Sequence, residues 1–255
     1  MKNTIGIIAD KKTAWFKDWF DSYYYHKLYS HRDEKEAASF IDELLSELNP
    51  VSNASMLDLG CGAGRHAKYL ASKGFDVTGT DLAFSSIKEA KRSETGNLRF
   101  LQRDMRMPFG INRYHIVFNF FTSFGYFETE DEHYRVINNI ARSLKPGGVV
   151  VMDYINATAV EACLVPYETK KVENIVYNLS RRADNRFIYK NIIVNDPVND
   201  DKLEYTEQVA KFNLYDFEDM FRYNGLKLQN VYGDYCLNSF EPLTSPRMIL
   251  LAKKM

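Results

Sequence analysis

Three glycines in one short stretch could hold a nucleotide-like ligand against the backbone. Residues 57–66 read LDLGCGAGRH, in which Gly60, Gly62 and Gly64 are spaced G-x-G-x-G between an apolar run and a helix-periodic segment. Glycine permits a sharp turn, and because it lacks Cβ, a ligand can lie close to the main chain. The free N–H groups of the following helix would face that ligand. The pattern therefore predicts a nucleotide-binding unit of strand, turn and helix.

The glycine spacing argues against a dinucleotide cofactor. A dinucleotide-binding turn reads G-x-G-x-x-G, with the third glycine keeping the strand and the helix close. In this chain Arg65 stands where that third glycine belongs. An NAD-linked oxidoreductase is therefore a distant alternative.

Asp81 is placed where it could bind a ribose. It ends the alternating segment at residues 75–81 and lies 81 − 60 = 21 residues after Gly60. At close to this spacing an acidic side chain accepts hydrogen bonds from ribose hydroxyls. The alternative role is an N-cap for the helix that begins just after it.

The elements that must position these residues alternate between strand and helix. A fourth strand, residues 115–121, is almost continuously apolar, as suits a parallel strand buried on both faces. The alternation predicts an α/β protein with a doubly wound, mostly parallel sheet. The strands we predict are residues 56–59, 75–81, 98–103, 115–121 and 149–154, followed by a C-terminal pair at residues 227–236 and 247–252.

These motifs together resemble the class I S-adenosylmethionine-dependent methyltransferases. Residues 57–64 (LDLGCGAG), 79–81 (GTD), 103–105 (RDM) and 144–148 (LKPGG) occur in the family's order and spacing. The resemblance covers roughly residues 54–154 and the C-terminal strand pair. It implies a seven-stranded sheet with an antiparallel last strand, and S-adenosyl-L-methionine as cofactor.

The resemblance also implies a role for the residues at the strand ends. The glycines would lie against the methionine part of the cofactor, with Asp58 near its amino group and Asp81 on the ribose. Asp104 would accept from the adenine amino group while the Met105 backbone N–H meets a ring nitrogen. The cofactor-binding residues expected in this way are Asp58, Gly60, Cys61, Gly62, Gly64, Asp81, Leu82, Asp104, Met105 and Asn119.

Two segments lie outside this unit. Residues 1–50 carry a dense aromatic cluster and two amphipathic patterns, which predict an N-terminal helical cap. Residues 156–215 break the α/β rhythm and predict a small antiparallel β insertion after the fifth strand, acting as a lid. Its strands are expected at residues 171–177, 186–192 and 204–209. The methyltransferase domain would then comprise residues 51–155 and 216–255.

The cap and the lid flank the expected ligand edge of the sheet, so we predict that they enclose a largely apolar acceptor. The alternative is that their tyrosines only pack the lid onto the body. The predicted acceptor-binding residues are Tyr24, Tyr25, Phe124, Tyr126, Tyr177 and Tyr189.

No catalytic base is assigned from the sequence. Tyr126, His26 and His133 are candidates, with ordinary surface or core packing as the alternative for each. Asn119 is not followed by the prolines of the [DN]-P-P-[YF] signature, which argues against methylation of exocyclic nitrogens on bases and amides.

Composition narrows the class of protein. With 33 Lys plus Arg against 34 Asp plus Glu, the net charge of −1 argues against a nucleic-acid partner. The three cysteines form no CxxC pair, and no cluster has metal-ligand spacing, so we expect neither a disulfide framework nor a metal. No apolar run reaches the length of a membrane span, and residues 5–9 are too short for a secretory signal, so we expect no membrane partner and a cytoplasmic location.

The sequence therefore predicts a methyltransferase that moves the sulfonium methyl to a small-molecule acceptor by direct displacement. The alternatives are an RNA or protein methyltransferase and a non-catalytic S-adenosylmethionine-binding protein. The acceptor atom (O, N or C) and the oligomeric state, monomer or homodimer, stay open.

Overall fold

The computed structural model describes residues 15–30, 34–198 and 201–255, and residues 5–9 lie outside these ranges. Within them, the helices are α1 (Trp15–Phe20), α2 (Tyr23–Leu28), α3 (Glu34–Leu48), α4 (Arg65–Ser72), α5 (Phe84–Ala90), α6 (Glu130–Ser143), α7 (Ala157–Ala162) and α8 (Leu214–Tyr223). The strands are β1 (Ser55–Leu59), β2 (Asp76–Asp81), β3 (Leu98–Gln102), β4 (Tyr114–Asn119), β5 (Leu144–Ile155), β6 (Tyr167–Val172), β7 (Ile175–Ala183), β8 (Phe187–Asp196), β9 (Asp201–Ala210), β10 (Leu226–Tyr232) and β11 (Arg247–Lys254). None of the helices in the described ranges is both long enough and apolar enough to cross a membrane.

The main sheet confirms the predicted fold class. Seven strands lie in the order β10-β11-β5-β4-β1-β2-β3. Strands β1 to β5 pair in parallel, whereas β11 runs antiparallel between β5 and β10. The strand order reverses between β1 and β4, and ligands of open α/β sheets bind in the crevice at such a switch point.

Each face of this sheet buries its own apolar cluster. On one face, α6 and α8 pack Ile137, Ile140 and Phe217 against β4, β5 and β11. On the other face, α3 packs Phe40 and α4 packs Leu70 among the helices that cover β1 to β3. The strands are apolar on both sides because helices cover both sides.

The β insertion forms a separate four-stranded antiparallel sheet in the order β6-β7-β8-β9. The sequence predicted three strands, and the placement of the first, at residues 171–177, is wrong. The register pairs Val172 with Ile175, so this segment spans a tight turn at Glu173, whose φ is 55°. Alternation of apolar and polar residues continues across the turn, which is why the break is not visible in the sequence pattern.

The first two helices of the N-terminal cap, α1 and α2, pack on the inserted sheet. The aromatic segment forms two short helices because Ser22 accepts a hydrogen bond from the Tyr25 backbone N–H and starts α2. Trp19 and Tyr24 then pack against Tyr177 and Ile192 of the insertion in a third apolar cluster. The cap and the insertion therefore share one core, and the division into three domains stays a prediction.

Candidate functional site

A large cavity lies at the carboxyl ends of β1, β2 and β4. Its volume is about 560 Å³. The strand ends and the loops after them form its floor. Its roof is formed by α1, α2 and β9 together with Tyr126, whose ring packs against α1. The cavity is lined by Gly60, Cys61, Gly62, Thr80, Asp81, Leu82, Asp104, Met105, Phe121, Thr122 and Ser123 from the floor, and by Phe16, Phe20, Tyr25, His26, Tyr29, Glu207 and Val209 from the roof.

The glycine loop has the backbone conformation that its sequence demands. Gly60 and Gly62 have φ values of 79° and 55°, in the left-handed region that favours glycine. The backbone N–H groups of Gly60 and Cys61 donate to the Thr80 carbonyl, which ties the loop to β2. A Cβ on Gly62 would meet nothing within 4 Å, so this position faces open space in which a ligand fits.

Gly60 is the glycine at which a side chain should be most harmful. A Cβ there would lie 2.6 Å from the Ser123 Cβ, so the loop or the wall opposite must move. We expect Gly60→Ala to weaken binding of S-adenosylhomocysteine more than tenfold in calorimetric titration. Gly74→Ala is the matched control, since Gly74 also has a positive φ, 94°, but has open space around it. Equal losses in the two variants would mean that backbone strain, not crowding, is responsible.

The role expected for Gly64 needs correction. Gly64 precedes α4 and is not among the residues that line the cavity. A Cβ there would come within 2.5 Å of the Phe100 ring. The third glycine therefore allows α4 to pack closely on the sheet, which is the role that the third glycine of a dinucleotide turn also has.

Buried polar atoms beside the loop indicate that a polar ligand belongs there. Among the described residues, both carboxylate oxygens of Asp58, Thr80 Oγ1 and Asn119 Oδ1 are buried without a hydrogen-bond partner of ordinary geometry. Buried polar atoms are normally paired, because leaving one unpaired costs about 1–3 kcal/mol. Asp58 and Asn119 do not line the cavity but lie behind its wall, where the Asn119 amide donates to the Leu59 carbonyl at 2.7 Å. The loop and these atoms fit an S-adenosylmethionine molecule whose methionine end carries an ammonium group.

Protonation of the Asp58 carboxyl group should make binding of the ammonium group depend on pH. Burial raises the pKa of Asp58 to about 7, and the Asp81 carboxylate adds to the shift, whereas the Ala67 backbone N–H and Arg65 oppose it. Because the pKa in the folded protein exceeds that of the unfolded chain, Asp58 favours folding below pH 4, and this contribution is lost as the pH rises through 7. The carboxyl group is thus mostly protonated at pH 6 in the ligand-free protein.

We expect cofactor binding to release a proton from Asp58, because an ammonium group stabilises the ionised carboxylate. Close to one proton should be released at pH 6 and almost none at pH 8. Titrations of S-adenosylmethionine in two buffers of different protonation enthalpy measure this number. Asp58→Asn should abolish the difference between the two pH values, and a wild-type protein that releases no proton at pH 6 would contradict the prediction.

Asp81 holds the glycine loop as well as facing the cavity. Its Oδ2 accepts from the Gly62 backbone N–H at 2.8 Å, and its Oδ1 accepts from the Ala83 backbone N–H at 2.9 Å. The second bond is not the predicted N-cap, because the N-cap of α5 is Ala83 and receives no side-chain cap hydrogen bond. Burial raises the pKa of Asp81, although these backbone hydrogen bonds oppose the shift. The ribose contact stays a prediction.

Asp104, at the far end of the floor, is paired within the protein. Arg106 binds it through Nε at 3.0 Å and through Nη2 at 2.6 Å, and also reaches Glu132. Burial alone would raise the pKa of Asp104, but hydrogen bonds and charge from Arg106 outweigh it and lower the pKa. Asp104, Met105 and Leu82 line the cavity. The adenine contacts of Asp104 and Met105 and the cofactor contact of Leu82 stay predictions. Cys61 also lines the cavity as a buried free thiol, whose pKa burial raises well above its ordinary value.

The predicted acceptor-binding residues separate into two groups. Tyr25 and Tyr126 line the cavity, and their role stays a prediction. The other four do not line it, and the structure corrects the role expected for them. Tyr24 and Tyr177 are buried in the core between cap and insertion, Phe124 is fully buried against α6 and α8, and Tyr189 stacks under Arg182 near Asp184.

The three candidate bases also separate. His133 is buried among Phe124, Phe127 and Phe212, burial lowers its pKa to about 4, and it does not line the cavity, so it is no base for an acceptor there. His26 lines the cavity with Nε2 3.2 Å from Ser85 Oγ, and burial lowers its pKa against the opposing charge of Asp21 and Asp81. Tyr126 lines the cavity beside the rings of Trp15 and Phe20.

Sequence reasoning missed a carboxylate in the roof. Glu207 of β9 has a side chain only 17% exposed and lines the cavity together with Val209. Its Oε1 accepts from Trp19 Nε1 and from the Tyr29 hydroxyl, each at 2.8 Å. The only signal in the sequence was the position of Glu207, which lies on the same face of its strand as the apolar side chains of Tyr205 and Val209.

Sequence reasoning also missed the ion pair under the loop that follows β4. Phe121 and Thr122 have φ values of 54° and 58°, a conformation that costs a β-branched or bulky residue on the order of 1–3 kcal/mol. The buried Asp153 carboxylate accepts from the Phe121 backbone N–H at 2.8 Å and from Arg247 Nε at 2.6 Å. Arg247 in turn donates to Thr122 Oγ1 at 2.9 Å, so the pair holds the strained loop in place.

A search of the described residues finds no group of three or more His, Cys, Asp or Glu side chains that could hold a metal ion.

Comparison with known proteins agrees with this site. Residues 56–148 match the model of a methyltransferase domain. The putative methyltransferase YqeM of Bacillus subtilis (strain 168) is 28% identical over 245 residues, covering 90% of this chain and 94% of that protein. The dTDP-3-amino-3,4,6-trideoxy-alpha-D-glucopyranose N,N-dimethyltransferase of Streptomyces venezuelae is 31% identical over 137 residues. That second match spans only about half of each chain, 53% of this one and 55% of that enzyme.

Solved structures share the fold over most of the chain. An S-adenosylmethionine-dependent methyltransferase from Clostridium acetobutylicum ATCC 824 superimposes with a TM-score of 0.76 at 19% identity, covering 91% of this chain and 96% of that one. The sugar N-methyltransferase KedS8 from Streptoalloteichus sp ATCC 53650 has a TM-score of 0.71 at 17% identity, covering 100% and 98%. At these identities the likeness concerns the fold.

Proposed function

Because this chain belongs to the class I S-adenosylmethionine-dependent methyltransferases, we propose that it transfers a methyl group to a small-molecule acceptor by direct displacement. The observation that carries the proposal is the shared cavity. The same space is lined by the cofactor-site residues Gly60 and Asp81 and by the roof residues Tyr126 and Val209. A protein that only bound the cofactor would need no such space beside it.

The chain's own part in the reaction is to bind, orient and exclude water. S-adenosylmethionine supplies a methyl group that is already activated on a cationic sulfur. The glycine loop and Asp81 would hold the cofactor from the floor, while the roof closes over the acceptor. Fixing two reactants in line can supply roughly 7–11 kcal/mol of the barrier without a strong acid or base. Exclusion of water strengthens the polar contacts that remain.

A small acceptor is favoured over RNA or protein by the shape and charge of the lining. The cavity has a roof, and three of the cationic side chains that reach it are paired with acids: Arg247 with Asp153, Arg65 with Glu36 and Lys68 with Glu34. A fourth, Arg103, donates to the Pro108 carbonyl. The names of the Streptomyces venezuelae relative and of KedS8, both acting on sugars, support the same class.

Cofactor binding and transfer are tested separately. Calorimetry should show binding of S-adenosylmethionine and S-adenosylhomocysteine but not of NAD, since Arg65 replaces the last glycine of a dinucleotide turn. Transfer of labelled methyl from S-adenosylmethionine to small amines, alcohols or phenols should then be detectable. Binding with no transfer to any of these classes would favour the non-catalytic alternative, and tight NAD binding would contradict the cofactor assignment.

A further inference from the structure

The roof of the cavity combines aromatic rings with one carboxylate. Phe20 lies 5.0 Å from Tyr25 and 5.1 Å from Tyr126, measured between ring centroids, so the three rings form a continuous wall. Among the described residues, Glu207 is the only acidic side chain that α1, α2 and the inserted sheet contribute to the cavity. Aromatic faces and a carboxylate together attract a nitrogen that carries positive charge.

The short hydrogen bonds that hold Glu207 in place reach only one of its two carboxylate oxygens. Oε1 accepts both hydrogen bonds from the cap, whereas Oε2 forms a longer ion pair, at 3.5 Å, with Lys190 Nζ on the neighbouring strand. That separation exceeds the range of a strong hydrogen bond. Lys190 also donates a short hydrogen bond to the Tyr29 hydroxyl, so Lys190 itself is fixed. Oε2 is therefore the oxygen with capacity to accept from a ligand.

The bases around the roof favour a nitrogen over a hydroxyl as the acceptor atom. An aliphatic hydroxyl must pass its proton to a general base as the methyl group arrives, and around the roof only imidazole and carboxylate could supply that base. Burial lowers the pKa of His26, which makes this imidazole a weaker base. An aliphatic amine arrives protonated at neutral pH, but it gives that proton to a base far more readily than a hydroxyl does, and its free lone pair is then nucleophilic.

We propose that the acceptor is a small aliphatic amine, held against the aromatic wall with an N–H directed at Glu207. This inference rests on the proposed function and names the acceptor class for the same site. In the transfer, a bond forms between the amine nitrogen and the methyl carbon as the carbon–sulfur bond breaks, and its electron pair stays on sulfur. The proton displaced from nitrogen passes to the Glu207 carboxylate and from there to water.

Binding of a product-like probe tests the inference without turnover. The probe is N,N-dimethylethanolamine, which is protonated and carries one N–H at neutral pH, and its neutral carbon isostere is isoamyl alcohol. With S-adenosylhomocysteine bound, we expect calorimetry or ligand-detected NMR to show at least tenfold tighter binding of the amine than of the alcohol. Equal binding in the wild-type protein would overturn the inference.

Glu207→Gln tests the carboxylate itself. Glutamine keeps the size of the side chain and the acceptor for Trp19 and Tyr29 but removes the charge, so the preference for the amine should fall below threefold. The affinity for S-adenosylhomocysteine should stay unchanged, which shows that the floor is intact. Glu204→Gln, an exposed acid on the same strand that does not line the cavity, is the matched control and should bind like the wild type. An unchanged preference in Glu207→Gln would overturn the assignment.

Methyl transfer separates failure of this inference from failure of the proposed function. Paired aliphatic amines and alcohols of the same carbon skeleton are supplied with labelled S-adenosylmethionine. Transfer to amines alone supports the inference, and transfer to alcohols with no preference for amines refutes it while leaving the proposed function standing. Cofactor binding with transfer to neither class counts against the proposed function.

Discussion

Arg247→Met is expected to lower the free energy of unfolding by about 3–5 kcal/mol, the usual cost of leaving one partner of a buried ion pair alone. Asp153 is fully buried, and Arg247 supplies its charge-compensating hydrogen bond at 2.6 Å. The substitution also removes the hydrogen bond to Thr122, whose left-handed backbone the pair supports. Chemical denaturation monitored by circular dichroism measures the loss.

An Arg→Met substitution in an exposed ion pair provides the control. Arg222 pairs with Asp219 on α8, and both side chains are mostly exposed, so Arg222→Met should cost no more than about 1 kcal/mol. The double variant Asp153→Asn/Arg247→Met should recover part of the loss, since no unpaired charge remains. If Arg247→Met cost no more than Arg222→Met, the ion pair would not be holding the loop.

The sequence was most informative where one local pattern determines the structure. The glycine turn, the strand-end acids and the final antiparallel strand follow from short motifs, and the sheet order confirms the fold they predict. The turn at Gly60 and Gly62 can be predicted from residue type alone, because no other residue adopts a positive φ at so small a cost in free energy. Such features are encoded within a few neighbouring residues.

Contacts between distant segments were not predictable in the same way. Glu207 meets Trp19 and Tyr29 across about 180 residues of chain, and Arg247 meets Asp153 across 94. Neither pairing leaves a spacing or a periodicity in the sequence. The only local signal was a charged residue on the apolar face of a strand, and this signal does not identify the residue with which it pairs.

The aromatic residues predicted to line the acceptor site were chosen by their type and their position in the sequence. These two criteria selected more residues than line the cavity. Tyr24 and Tyr25 are neighbours, yet only Tyr25 faces the cavity, because successive residues of a helix point about 100° apart. Tyr24 instead directs its hydroxyl toward Asp196, at 3.2 Å. Which member of such a run reaches the ligand depends on how the helix docks, and docking is set by the inserted sheet.

Asp81→Asn is expected to weaken binding of S-adenosylhomocysteine by at least tenfold. If the carboxylate binds two ribose hydroxyls, each charge-assisted hydrogen bond contributes about 1.5–3 kcal/mol, and the amide can replace neither fully. Asparagine is a sharper test than alanine, because the Asp81 carboxylate also accepts from the backbone of Gly62 and Ala83. Alanine would lose those bonds as well and would disturb the loop before any ligand binds. Calorimetric titration at pH 8, where Asp58 is ionised, measures the affinity.

Asp76→Asn is the matched control, since Asp76 begins the same strand that Asp81 ends. Asp76 pairs with Arg99 at 3.3 Å on the surface and does not line the cavity, so its replacement should leave the affinity unchanged. Thermal unfolding without ligand shows whether Asp81→Asn has altered the loop, and a shift no larger than that of Asp76→Asn is expected. An unchanged affinity in Asp81→Asn would mean that the ribose is held by other groups. In that case Asp81 would serve only to fix the glycine loop, and the cofactor would depend on the backbone of that loop for its binding.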